Sequence, residues 1–142
     1  MIRKIIPLFI LALLSAQQVG AFCFEEAGEE YGISPELLWA IAKTESGFNV
    51  SAVHYNANGS FDYGLMQVNS SWYRELGKER WVHLNDGCYN VKVGAWILSQ
   101  CIKRYGYTWM AVGCYNGVSQ DKKVQYANRI YRTLKKTRGG SR

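Results

Sequence analysis

Leu38, Ile41, Ala42 and Glu45 recur at i, i+3, i+4 and i+7, so on a helix they share one face. A carboxyl on that apolar stripe loses hydration when it ionises, which raises its pKa and lets it hold a proton near neutral pH. A proton held there is what a general acid needs to protonate the leaving oxygen of a glycosidic bond. Asp62 is a second carboxylate downstream of that helix; if it points into a cleft shared with Glu45, it could stabilise a cationic sugar or attack it, as in retaining hydrolysis. Its other reading is an Asp that bonds the turn backbone near Gly59 and Gly64. Four cysteines (Cys23, Cys88, Cys101, Cys114) offer disulfide chemistry. Zinc is disfavoured: no C-x-x-C pair exists, and His54 and His83 lie outside regular ligand spacing. The expectation is no metal and no cofactor.

These residues must be held by elements that the sequence marks. Ser34, Pro35 and Glu36 read as N-cap, first helical position and first-turn acid, and this helix should run to about Ser46 with Gly47 at its end. A short helix around Glu25 to Glu30 precedes it. Val91, Ala95, Leu98, Ile102 and Tyr105 mark another helix that Gly106 ends, and Tyr107 to about Tyr115 a further one. The last carries Val124, Ala127, Tyr131 and Leu134 on one face. Between them Val53 and Tyr55 alternate, Asn58-Gly59 intervenes, and Phe61 and Tyr63 alternate, the pattern of a β-hairpin. The fold class is therefore mainly α, a helical domain with one small hairpin.

The chain of 142 residues suits one domain. Arg3 and Lys4 precede an apolar run from Ile5 to Leu14, interrupted only by Pro7 and far short of the roughly 20 residues that span a bilayer. Val19 and Ala21 supply a small-residue cleavage pattern, so residues 1–21 read as a signal peptide and 22–142 as the mature domain. Phe22 directly before Cys23 argues against lipidation and for a product without an integral membrane segment. Of seventeen Lys and Arg against eleven acids, the leader holds two bases, which leaves +4 on the mature chain. That charge suits an anionic polymer or a solvated tail equally. The basic residues are not interleaved with aromatics, so nucleic acid is not expected as a partner. An even cysteine count behind a leader implies two disulfides in an oxidising compartment. Three connectivities are open; Cys101 and Cys114 on consecutive helices joined by a tight turn favour pairing with each other, which leaves Cys23 for Cys88.

The order Glu45-Ser46-x-Phe48-Asn49, then Gly64-Leu65-Met66-Gln67-x-Asn69, then Tyr115-Asn116-Gly117, then Tyr126 with Ile130, resembles the lytic transglycosylase family across the whole mature chain. Phe22-Cys23-Phe24, Gly59 to Gly64 and Gly94 to Leu98 resemble its small single-domain members, which accompany type III and type IV secretion, conjugation and pilus machines. The resemblance implies a goose-type lysozyme fold, periplasmic location and peptidoglycan glycan strands as substrate. It implies that Glu45 acts first as acid and then as base, closing a 1,6-anhydro ring on the muramic sugar. Gln67, Asn116 and the Tyr126 hydroxyl would hydrogen-bond the sugar. Met66 and Tyr115 would line the cleft, and Ser46, Gly64 and Leu65 belong to the same motifs. Cys114 stands where the family commonly has alanine. The alternatives are a hydrolytic lysozyme using Asp62, and a non-catalytic wall-binding module of a secretion machine.

Overall fold

The computed structural model describes residues 22–140, so the expected leader lies outside the described residues. Six helices and a three-stranded sheet follow in the order α1 (Phe24–Tyr31), α2 (Pro35–Ser46), β1 (Val53–Tyr55), β2 (Phe61–Tyr63), β3 (Val68–Asn69), α3 (Tyr73–Trp81), α4 (Gly87–Tyr105), α5 (Trp109–Cys114) and α6 (Gln120–Gly139). The mainly α class with a lysozyme-like α+β arrangement holds. A third strand extends the expected hairpin. Asp62 pairs with His54 on β1 and with Asn69 on β3, all antiparallel. Only Gly59 of the Asn58-Gly59 pair has positive φ, because the loop runs over five residues from Asn56 to Ser60, closed by Asn56 N–H on Ser60 O at 2.8 Å.

Helix termini follow local chemistry. Gly47 ends α2 in the left-handed region at φ 59, where its N–H bonds Lys43 O. Ser34 occupies the N-cap position of α2, yet its side chain makes no capping bond. Asp86, Thr108 and Ser119 do cap α4, α5 and α6 through their side chains. Segment α3 and the single 3-10 turn before it (Ser70–Trp72) carry little apolar periodicity, and Gly77 breaks α3 at φ 73.

Two apolar clusters meet at α4. The larger joins Phe24, Leu38, Ile41, Val91, Ala95, Leu98, Tyr126 and Ile130, with α1, α2, α5 and α6 around it. The smaller joins Val68, Leu76, Leu84, Val93 and Ile97 under the sheet. Helix α4 therefore buries two faces rather than the one expected. On α6 the buried residues are Tyr126, Ala127 and Ile130, whereas Val124 and Tyr131 are about half exposed at 46% and 45%. The buried stripe is thus rotated toward Tyr126, which can be buried because its hydroxyl finds a partner. Disulfides join Cys23 to Cys88 and Cys101 to Cys114, which fixes the connectivity and leaves no free cysteine. Among the described residues no helix is long and apolar enough to cross a membrane.

Candidate active site

Glu45 lies on the last turn of α2, and its apolar neighbours Leu38, Ile41 and Ala42 are fully buried, as the stripe requires. Its carboxyl is drawn inward with them. Tyr126 O–H donates to Oε1 of Glu45 through a very short hydrogen bond, and Asn116 Nδ2 donates to the same oxygen at 3.4 Å. Burial raises the pKa of Glu45, and the charge of Asp62 adds to that rise; the Tyr126 bond, Arg129 and the Asn116 bond pull against it. Both donors converge on Oε1, so Oε2 is the oxygen available to carry the transferable proton. Burial, followed by the nearby Glu45 charge, holds the hydroxyls of Tyr126 and Tyr115 well above the usual tyrosine range, which keeps both as donors.

The turn Gly64 to Gln67 forms the floor. Ser46 Oγ donates to Leu65 O at 2.7 Å, pinning this turn to α2. Tyr115 O–H donates to Met66 O at 2.7 Å, and its ring stacks on Tyr126 with centroids 6.2 Å apart. Met66 N–H donates to Asn90 Oδ1 at 2.7 Å. Gly64 sits at φ 81, and a Cβ there would collide with the Asn90 side chain. Gln67 is held at φ 51, an uncommon value for a residue with a side chain, and its Nε2 bonds Gly64 O at 2.9 Å and Ala52 O at 3.1 Å. Its Oε1 is the end left to meet a ligand.

Asp62 faces the cleft side of the sheet, close enough for its charge to act on both Glu45 and Tyr115. Asn69 Nδ2 donates to Oδ1 at 2.7 Å and Asn56 Nδ2 to Oδ2 at 3.0 Å, so each oxygen accepts one amide bond. The partners are side-chain amides rather than the turn backbone, which differs from the backbone-bonded reading of this residue.

The structure thus joins Glu45, Tyr126, Asn116 and Tyr115 in one cluster, with Asp62 near enough to act on it by charge and Gln67 in the turn whose Met66 carbonyl Tyr115 holds. It does not bring the side chains of Leu65 and Met66 there. Both are fully buried, so they pack and only their backbone shapes the floor. Ser46 likewise bonds backbone, as a positioning residue. The Tyr126 hydroxyl is spent on Glu45 instead of standing free for a sugar.

Four further residues, given no role in the sequence motifs, support the site. Asn90 is a fully buried polar side chain that also donates to Leu84 O at 3.0 Å and Tyr63 O at 3.2 Å. Its signal was a polar residue sharing a helix face with Gly94 and Ile97. Asn56 was readable only as a turn former, and Asn69 only as a motif member. Arg129 lies 5.3 Å over the Tyr126 ring, and its spacing of three from Tyr126 was the clue.

The chain matches the family described as the Transglycosylase SLT domain over residues 22–136. It is 44% identical over 131 residues to Protein IpgF of Shigella flexneri, covering 87% of this chain and 86% of that protein. It is 39% identical over 142 residues to Invasion protein IagB of Salmonella typhimurium, covering 94% of this chain and 88% of that one. In structure it resembles an inactive mutant of lytic transglycosylase Slt from Pseudomonas aeruginosa, with TM-score 0.64 at 17% identity. That likeness covers 84% of this chain and 24% of the larger one, and it concerns the fold. By the match over residues 22–136 and these relatives, the chain belongs to the transglycosylase SLT domain family and is a peptidoglycan lytic transglycosylase.

Proposed function

We propose that the enzyme cleaves the β-1,4 bond between N-acetylmuramic acid and N-acetylglucosamine and leaves a 1,6-anhydro end. Glu45, whose pKa burial raises, gives its proton to the glycosidic oxygen as the C1–O bond breaks. The resulting carboxylate then takes the proton of the sugar's own C6 hydroxyl while the C6 oxygen bonds C1. Proton and electron pairs balance without water. One observation carries this reading: of the two cleft carboxyls, only Glu45 has an oxygen without a side-chain donor, since Asn56 and Asn69 hold both oxygens of Asp62. Asp62 then acts through its field, steadying positive charge on the ring, and not as a nucleophile. Asn116 Oδ1 and Gln67 Oε1 are acceptors for the sugar's N–H and hydroxyl groups.

The likeness to a protein called an invasion protein, together with the leader-like N-terminus and two disulfides, supports a periplasmic role. There the enzyme would open the wall locally for a secretion, conjugation or pilus apparatus. Peptidoglycan digested with the mature protein and read by mass spectrometry tests the chemistry. Anhydro-terminated fragments, absent with Glu45→Gln, support the reading; reducing ends made by wild type would replace it with hydrolysis.

A further inference from the structure

A groove of about 550 Å³ opens beside the site, sharing Asn116 and Tyr126 with it and bounded otherwise by one face of α6. Lys122, Arg129 and Arg132 project from that face, spanning about 15 Å of helix. All three are exposed, and ion pairs among the described residues are confined to Lys92–Glu26 and Arg138–Glu36. Three cations outside any ion pair therefore line a groove whose inner wall is the hydrogen-bonding shell of Glu45. Gln125 and Asn128 place side-chain amides between them.

Resting on the transglycosylase reading, we propose that this groove binds the carboxylates of the stem peptide carried by the muramic sugar nearest Glu45. The chemistry matches in three respects. A stem peptide leaves the sugar ring through the lactyl ether, so it starts at the site and must run along an adjoining surface. It bears free carboxylates at intervals of a few residues, which suit cations spread along a helix face better than a single point charge does. Its peptide groups need donors and acceptors, which Gln125 and Asn128 supply. Glycan stripped of peptide keeps only the lactyl carboxylate and would leave most of the groove unused. Arg129 lies nearest Tyr126 and its charge also reaches Glu45, so an anion seated beside it would weaken its pull on that carboxyl. Occupation of the groove and protonation of the acid are thereby linked.

The double variant Lys122→Gln/Arg132→Gln tests this, since neither residue touches Glu45. On peptide-bearing glycan its KM should rise roughly fivefold with kcat nearly unchanged, the scale that two exposed charge pairs allow. On amidase-stripped glycan KM should change by less than about twofold. The charge-keeping pair Lys122→Arg/Arg132→Lys should restore the preference, and an unchanged melting temperature excludes misfolding. Equal loss on both polymers, or none on either, overturns the proposal. So does lost binding of an acidic protein segment with substrate preference intact, which would make the face a protein contact. Titrating a soluble disaccharide tetrapeptide against inactive Glu45→Gln protein reads the groove without catalysis. Binding there that needs Lys122 and Arg132 supports the proposal even if wild type proves to be a hydrolase, whereas no binding overturns it.

Discussion

The helical body and the sheet-bearing lobe face each other across Glu45, and different chemistry holds each. The body, made by α1, α2, α5, α6 and one face of α4, is an apolar core stapled by both disulfides. The lobe has a far smaller apolar cluster and relies on side-chain amides and hydroxyls: Asn56, Ser60 and Asn69 around Asp62, and Gln67 and Asn90 around the Gly64 turn. Apolar packing tolerates small shifts of its members, whereas a buried amide network requires every partner in place. In the proposed mechanism the body therefore supplies the acid from a rigid helix. The lobe supplies a floor and a field whose geometry depends on hydrogen bonds.

The largest effect should come from the body. Glu45→Gln keeps the volume and the acceptor for Tyr126 but removes the proton, and should cut kcat by about a thousandfold. The same change should raise stability at neutral pH. The folded pKa of Glu45 lies above its unfolded value, so the folded state binds more protons and loses stability as pH climbs from the unfolded value through the raised one. A glutamine escapes that loss, and thermal melts at pH 4 and pH 7.5 should show the variant's advantage at the higher pH only. Equal melting curves at both would show that Glu45 ionises as freely in the folded state as in the unfolded one.

Asn90→Ala attacks the lobe. It strips a partner from Met66 N–H, Tyr63 O and Leu84 O at once, and should cost about 3 kcal/mol. Hydrogen exchange should quicken first between residues 52 and 72, with α2 and α6 following only at global unfolding. Replacing Cys101 and Cys114 by serine should cost slightly less, about 2–3 kcal/mol for a crosslink spanning 13 residues. That loss should lower Tm with no selective loosening of the sheet, because the bridge ties α4 to α5 within the body. If both changes loosened the lobe alike, the two regions would be one cooperative unit.

The same division governs what could be read from the residues. In the body, periodicity, Pro35 and Gly47 at the ends of α2, and the Tyr115-Asn116 and Tyr126 positions located helices and site together, since an apolar stripe encodes its own partner face. Tyr126 was legible as a motif residue, but its burial was not, because the pattern of Val124 and Tyr131 pointed elsewhere on α6. In the lobe, Val68–Asn69 and Tyr73–Trp81 carry no period, and their structure arises from tertiary bonds. Asn69 looked like a motif member; only the fold shows it gripping Asp62. Leu65 and Met66 illustrate the opposite error, since a motif marks where the backbone must go without saying that its side chains reach the cleft.

Asp62→Asn has the smallest expected effect and divides the two mechanisms most sharply. Asp62 disfavours a second negative charge nearby, so its field raises the pKa of Glu45. Removing that charge lets Glu45 ionise at lower pH, and the alkaline limb of kcat/KM should move toward acid. At neutral pH the protonated fraction falls, and with it the rate, by roughly threefold to tenfold. The NH2 of the new amide also meets the donor of either Asn56 or Asn69, so some loosening of the strand should accompany the shift; Asp62→Ser, without that clash, serves as the comparison. The products should keep their anhydro ends in both variants. A nucleophile behaves otherwise: its removal should cost as much as loss of Glu45 and leave no limb to shift. A displaced limb with anhydro products intact places Asp62 in the lobe's field, and a thousandfold loss would make the lobe a second seat of the chemistry.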